Sequence, residues 1–120
     1  MKLFAFVKRK DSLTREEFLD HWHNVHGPMI RDTPALGGHI LDYRQYPASA
    51  RDRSGWDGVA VQEFESWESF IAFISSPVGE AMRADEETFI DSSTIKVVFV
   101  DDEVVMIDGE SDGERVDDGR

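Results

Sequence analysis

Leu13-Thr14-Arg15-Glu16-Glu17-Phe18-Leu19-Asp20-His21-Trp22-His23-Asn24-Val25-His26-Gly27-Pro28 is the stretch from which the rest of the chain can be ordered. Thr14 with Glu17 three residues on spells a capping box, and Leu13 with Phe18 occupies the two positions of a hydrophobic staple. A helix is therefore predicted over residues 15–26. Gly27-Pro28 should end it, because glycine permits a left-handed cap and proline cannot continue the ladder. Phe18, Trp22 and His26 recur every four residues with Leu19 and Val25 beside them, which makes one buried stripe with His26 as its last member.

Working outward, residues 2–8 alternate and read as a first strand. Beyond a connector over 29–38, His39 to Tyr46 alternates as a second strand, residues 47–55 form a polar loop, and Asp57 to Glu65 is a third strand. Ser66 caps a short helix that places Trp67, Phe70, Ile71 and Ile74 on one face. Ser76-Pro77 starts another helix running to about Ile90. Thr94 to Val100 is β-branched and forms a fourth strand, expected to resume at Val104–Ile107 after Asp101-Asp102-Glu103. The order β-α-β-β-α-β is the ferredoxin-like pattern, an α+β fold with a four-stranded antiparallel sheet and its helices on one face. Leu3, Ala5 and Val7 lie on one side of the first strand and Phe4 and Phe6 on the other. Ile95, Val97 and Phe99 alternate in the same way with Val98 and Val100. Both sheet faces are apolar and the helices cover only one, so a homodimer packed through the other face is expected.

The full chain has 120 residues, with 13 Lys and Arg against 25 Asp and Glu, a net charge of −12. Such a length builds one domain, expected over residues 1–107, followed by an acidic, disordered tail over 108–120. The absence of cysteine removes disulfides, thiolate metal sites and a cysteine nucleophile. The charge repels a phosphate backbone, so nucleic acid is not an expected partner. No apolar run reaches the roughly 20 residues of a membrane span, and the N-terminal run is too short for a signal peptide. A cytoplasmic protein without a membrane partner is the expectation.

The run His21-Trp22-His23-Asn24-Val25-His26-Gly27-Pro28, a Trp followed four residues later by His and then Gly-Pro, resembles the EthD domain family. Further similarity lies in Pro34-Ala35-Leu36-Gly37 before a Tyr-bearing strand and in Trp56-Asp57-Gly58-Val59-Ala60 opening the third strand. Ser76-Pro77-Val78-Gly79 with Ala84-Asp85-Glu86-Glu87-Thr88-Phe89 resembles the second helical region. The resemblance spans about residues 1–107 and implies a dimeric α/β-barrel. It also implies kinship with oxidase-like, dehydratase and isomerase-like enzymes of aromatic or polyketide-like compounds.

The residues themselves suggest where chemistry would sit. Val78, Ala81, Met82, Asp85 and Phe89 follow i, i+3, i+4, i+7 spacing, so Asp85 falls on the apolar face of its helix while Glu86 and Glu87 lie at its edge or outside. A carboxylate there is costly unless paired, and both helices cover the same sheet face, so Asp85 can meet His26. His26, read as lying at a helix C-terminus, is the candidate acid/base and Asp85 its orienting partner. Tyr43 and His39, sharing a strand face, supply further polar contacts, and Trp22 and Phe89 wall an apolar substrate pocket closed by the connector. The alternative is structural: His26 caps the helix end, Asp85 accepts from backbone, and the aromatic residues are core. His21 and His23 point about 160° apart on a helix, which disfavours a metal site. Neither G-x-G-x-x-G nor a phosphate-binding lysine loop is present. The expectation is an enzyme that uses no cofactor or metal and acts on an aromatic, polyketide-like or carbonyl metabolite as an oxidoreductase, dehydratase or isomerase. The competing expectation is a non-catalytic binding or accessory protein for a hydrophobic metabolite.

Overall fold

Alternation of side chains along Lys2–Val7 forms strand β1, which pairs antiparallel on both sides in a computed structural model that describes residues 1–109. The chain continues through α1 (Arg15–His21), a π-helical segment (Trp22–His26), α2 (Gly27–Asp32), α3 (Pro34–Gly37), β2 (Asp42–Pro47) and β3 (Gly58–Glu63). It then forms α4 (Trp67–Ser75), α5 (Pro77–Phe89), a 3-10 turn (Ser92–Thr94) and β4 (Lys96–Val100). The sheet order is β2-β3-β1-β4 with every pairing antiparallel, which is the ferredoxin-like arrangement. Among the described residues no helix is long and apolar enough to cross a membrane. Of the tail expected over 108–120, everything from residue 110 onward lies outside the described residues.

The predicted helix start is present in full. Thr14 Oγ1 accepts from the Glu17 N–H at 3.1 Å and Glu17 Oε1 accepts from the Thr14 N–H at 2.8 Å, so two otherwise unpaired donors are satisfied. The helical layer buries Leu3 and Val7 of β1 and Ala60 and Gln62 of β3. Phe18, Trp22, Phe89 and Ile90 pack with Val7 and Ala60 in one cluster, and Phe64, Phe70, Phe73 and Met82 with Leu3 in a second. Each such large side chain contributes about 1.5–3 kcal/mol by leaving water. Trp22 lies directly over Gly58, where a Cβ would come within 2.6 Å of indole Cη2 and Cζ3; only glycine lets the ring rest on β3.

Several sequence expectations are corrected. The first helix does not stop at Gly27-Pro28. Gly27 keeps right-handed helical angles (φ −58°) and its N–H reaches Trp22 O five residues back, closing a π turn, after which α2 runs on to Asp32. Pro28 is the second residue of α2, directly after the π turn, where the regular i→i+4 ladder is already interrupted. The connector is therefore helical rather than a loop, with Thr33 O accepting from Leu36 and Gly37 at 2.8 Å to start α3. The second strand begins at Asp42, not His39. The N–H groups of His39 and Ile40 close a turn onto Leu36 O and Gly37 O, so His39 lies off the strand and does not share a face with Tyr43. Val104–Ile107 forms no strand and is solvent-exposed.

Register fixes the second sheet face. Phe4 lies between Val61 and Val98, Phe6 between Val59 and Lys96, and Lys2 between Glu63 and Val100. This face is an apolar centre with a charged rim, and no helix of the described residues covers it.

Candidate active site

The π turn decides which histidines meet. On a regular α-helix residues five apart point about 140° away from each other. A π turn, with its i→i+5 bond, brings them onto one side. His21 and His26 are five apart and flank this segment, and both rings reach the same carboxylate on α5. Asp85 Oδ1 receives His21 Nε2 at 2.9 Å, with Oδ2 at 3.1 Å from the same nitrogen, and Oδ2 receives His26 Nδ1 at 2.8 Å. Side-chain exposure falls from 28 % at His21 through 15 % at Asp85 to 4 % at His26, so the trio leads from the surface inward. Phe89 packs beside both rings, with centroids 4.5 Å from His21 and 5.1 Å from His26.

A carboxylate only accepts, so His26 donates through Nδ1–H and its neutral ring carries the lone pair on Nε2. The nearest carboxylate to that nitrogen is Glu86 Oε2 at 3.6 Å, beyond a direct hydrogen bond. Both residues line a cavity of about 190 Å³ between the sheet and the helices, walled by Leu3, Trp22, Phe70, Phe73 and Met82 and with Arg83 at its solvent side. A larger, shallower cleft of about 590 Å³ lies on the other side of Tyr43, but it contains His23 and neither His26 nor Asp85. The smaller cavity is the one joined to the titratable cluster.

Tyr43 stands between the two spaces. Its hydroxyl accepts from Gln45 Nε2 at 2.8 Å, and the same amide nitrogen donates at 2.9 Å to Trp22 O, the carbonyl that closes the π turn. His23 Nδ1 donates to Gln45 Oε1 at 2.6 Å. Gln45 approaches this closely because residue 27 is glycine; a Cβ there would come within 2.9 Å of Gln45 Nε2. Burial, with the Glu86 charge adding to it and the Gln45 hydrogen bond opposing it, pushes the Tyr43 hydroxyl up to about 12. Tyr43 is therefore a phenol, with its O–H available as a donor, throughout the neutral range.

Of the residues singled out in the sequence, His26 and Asp85 are hydrogen-bonded to each other, and Trp22 and Tyr43 line the cavity with His26. Phe89 does not line it; it is buried beneath the two histidine rings. His39 stays outside it, carried away by the turn before β2, and the 29–37 segment lines the shallow cleft instead. His26 is also not at a helix end, because α2 follows, so a helix dipole does not act on it in the way expected from the Gly27-Pro28 stop. Glu86, placed by spacing at the edge of the helix face or outside it, faces the cavity. Gln45 and Gln62 were not singled out, and His21 was weighed only as a metal ligand. The inward register Gly58, Ala60, Gln62 of β3 was a readable signal for Gln62, while His21 depends on the π turn. Among the described residues no group of three or more His, Asp or Glu side chains could hold a metal ion.

The EthD domain family profile matches residues 10–93. A comparison with curated proteins finds no match. An EthD family protein from Bacillus halodurans superposes with a TM-score of 0.66 at 18 % identity, covering 85 % of this chain and 97 % of that one. A hydroxynitrile lyase from Passiflora edulis superposes at 0.67 and 16 % identity, covering 87 % and 94 %. A dimeric ferredoxin-like protein of unknown function from Bacteroides fragilis superposes at 0.62 and 18 % identity, covering 81 % and 90 %. These likenesses carry the fold.

Proposed function

This chain belongs to the EthD domain family, and from that premise we propose that it is a small-molecule enzyme working by acid/base chemistry in the 190 Å³ cavity. His26 Nε2 takes or returns the proton, and Asp85 holds the opposite nitrogen, fixing the ring's tautomer and stabilising it while it is charged. The carrying observation is the hydrogen bond of His26 Nδ1 to Asp85, which leaves Nε2 as the nitrogen available to a mainly apolar cavity. Such a site suits a compact, mostly apolar substrate whose reaction is a proton transfer, an elimination or a rearrangement. The solved lyase of the same fold agrees in kind with this reading. The test is hydrogen–deuterium exchange at the α-carbon of single-ring ketones in D₂O, followed by NMR. Acceleration by the parent protein that disappears in His26→Gln is expected. Tight binding of the ketones without any acceleration would replace the enzyme with a binding protein.

We also propose that the open sheet face is the interface of a homodimer. Phe4, Phe6, Val59, Val61, Val98 and Val100 form its apolar centre, and ferredoxin-like relatives described as dimeric support the reading. Sedimentation of the parent chain should give twice the 13.7 kDa chain mass, and Val61→Lys should give the single mass. A monomeric parent would overturn it.

A further inference from the structure

Gln62 lies on the helix-facing side of β3, only 8 % exposed, and lines the same cavity as His26. Its backbone belongs to the sheet, but among the described residues no group hydrogen-bonds its side-chain amide. Among the described residues no buried side-chain nitrogen or oxygen lacks a partner, so the unpaired Gln62 amide is not sealed in the core but open to the cavity it lines. It is a polar group on a wall otherwise built by Leu3, Phe70, Phe73 and Met82, where leucine or methionine would fit by size. Directly across the strand pair stands Tyr43, on the same face. Opposed residues of an antiparallel pair have Cβ atoms about 5 Å apart, so two side chains there can serve one atom between them. The Tyr43 oxygen already accepts from Gln45, which leaves its O–H to donate.

We propose that the Gln62 amide and the Tyr43 hydroxyl together bind the carbonyl oxygen of the substrate, an enolisable ketone or aldehyde whose enclosed part is about the size of a single ring. This rests on the acid/base reading above and narrows it. In the step it serves, the C–H bond next to the carbonyl breaks and its proton goes to His26 Nε2. The C–H electron pair becomes the C=C bond and the carbonyl π pair moves onto oxygen. Gln62 Nε2–H and Tyr43 O–H hold the developing enolate without giving up their protons, His26 Nε2 exchanges the proton it took with solvent water, and a solvent-derived proton passes from Nε2 back to carbon to end the cycle. No other reactant is required. The size follows from the volume, since a cavity of about 150 Å³ accommodates benzene, and this one is about 190 Å³.

The test compares two probes of the same ring and similar shape, acetophenone and ethylbenzene, by NMR titration of the parent protein and of Gln62→Met. The acetophenone-to-ethylbenzene affinity ratio should fall about tenfold in the variant, the worth of one hydrogen bond. Ethylbenzene should bind at least as well as before, and the ligand-free melting temperature should not fall. Gln62→Leu, of different shape, should give the same shift in ratio. An unchanged ratio overturns the proposal, as it would if the amide served only a water molecule. A lowered melting temperature in both variants also overturns it, marking the amide as structural. If neither probe binds the parent, the proposal falls together with the cavity reading. A tenfold shift without α-carbon exchange supports the oxygen site and overturns only the catalytic role of His26.

Discussion

Replacing Asp85 by Asn tests the arrangement that organises the site. The carboxylate, 15 % exposed, takes one hydrogen bond from His26 at 2.8 Å and one from His21 at 2.9 Å. Asparagine has almost the same shape but only one carbonyl oxygen. It can accept from one ring and must turn its NH₂ toward the other. The loss of a hydrogen bond to a charged acceptor costs roughly 1.5–3 kcal/mol, and the His26 nitrogen, if left facing an N–H, adds the cost of a buried unsatisfied donor, about 1–3 kcal/mol. Because the pocket relaxes partly, a net loss of about 2–4 kcal/mol is expected. In a domain of this size that lowers the melting temperature by roughly 10–25 °C. Urea unfolding followed by tryptophan fluorescence reads it directly. A double-mutant cycle with His21→Gln should show coupling, since both variants act on the same carboxylate. A loss below about 0.5 kcal/mol on Asp85→Asn would refute the reasoning.

Two other outcomes follow from close contacts and burial. Gly58→Ala puts a Cβ 2.6 Å from the Trp22 ring, so the indole must shift and overpacking should cost about 1–3 kcal/mol, with a changed Trp emission; an unaltered melting curve would contradict it. Tyr43, pushed up to about 12 in the fold, keeps its proton where the unfolded chain loses it near 10. Its contribution is therefore fully present below about pH 10 and is lost as pH rises toward 12, about 2–3 kcal/mol in all. Tyr43→Phe should flatten that alkaline loss and remove a tyrosinate absorbance step near pH 12; persistence of both would contradict it.

Much of the fold was legible because local and global signals agree. The capping box at Thr14, the alternation in β1 and the Ser76-Pro77 start of α5 each depend on neighbours within four residues, and each appears as read. Asp85 could be placed because helical spacing set it on the face of Met82 and Phe89, where it must find a partner. What sequence reasoning lost turns on hydrogen-bond register. The i→i+5 bond at Gly27 shares its acceptor, Trp22 O, with Gln45 Nε2 from β2, a long-range contact that no local pattern encodes. That one register carries the helix past Pro28 and brings His21 to Asp85. The turn onto Leu36 O likewise removed His39 from a strand whose polar alternation suggested otherwise.

The most direct measurement is a long-range ¹H–¹⁵N correlation spectrum of the histidine rings, recorded without and with acetophenone. His26 in the neutral ring should show a pyrrole-type Nδ1 and an imine-type Nε2, with only Nε2 responding to the probe, while the Nδ1 proton shifts in Asp85→Asn. A ring protonated on Nε2 with a bare Nδ1, or an Nε2 indifferent to every ketone that binds the cavity, would contradict a catalytic His26.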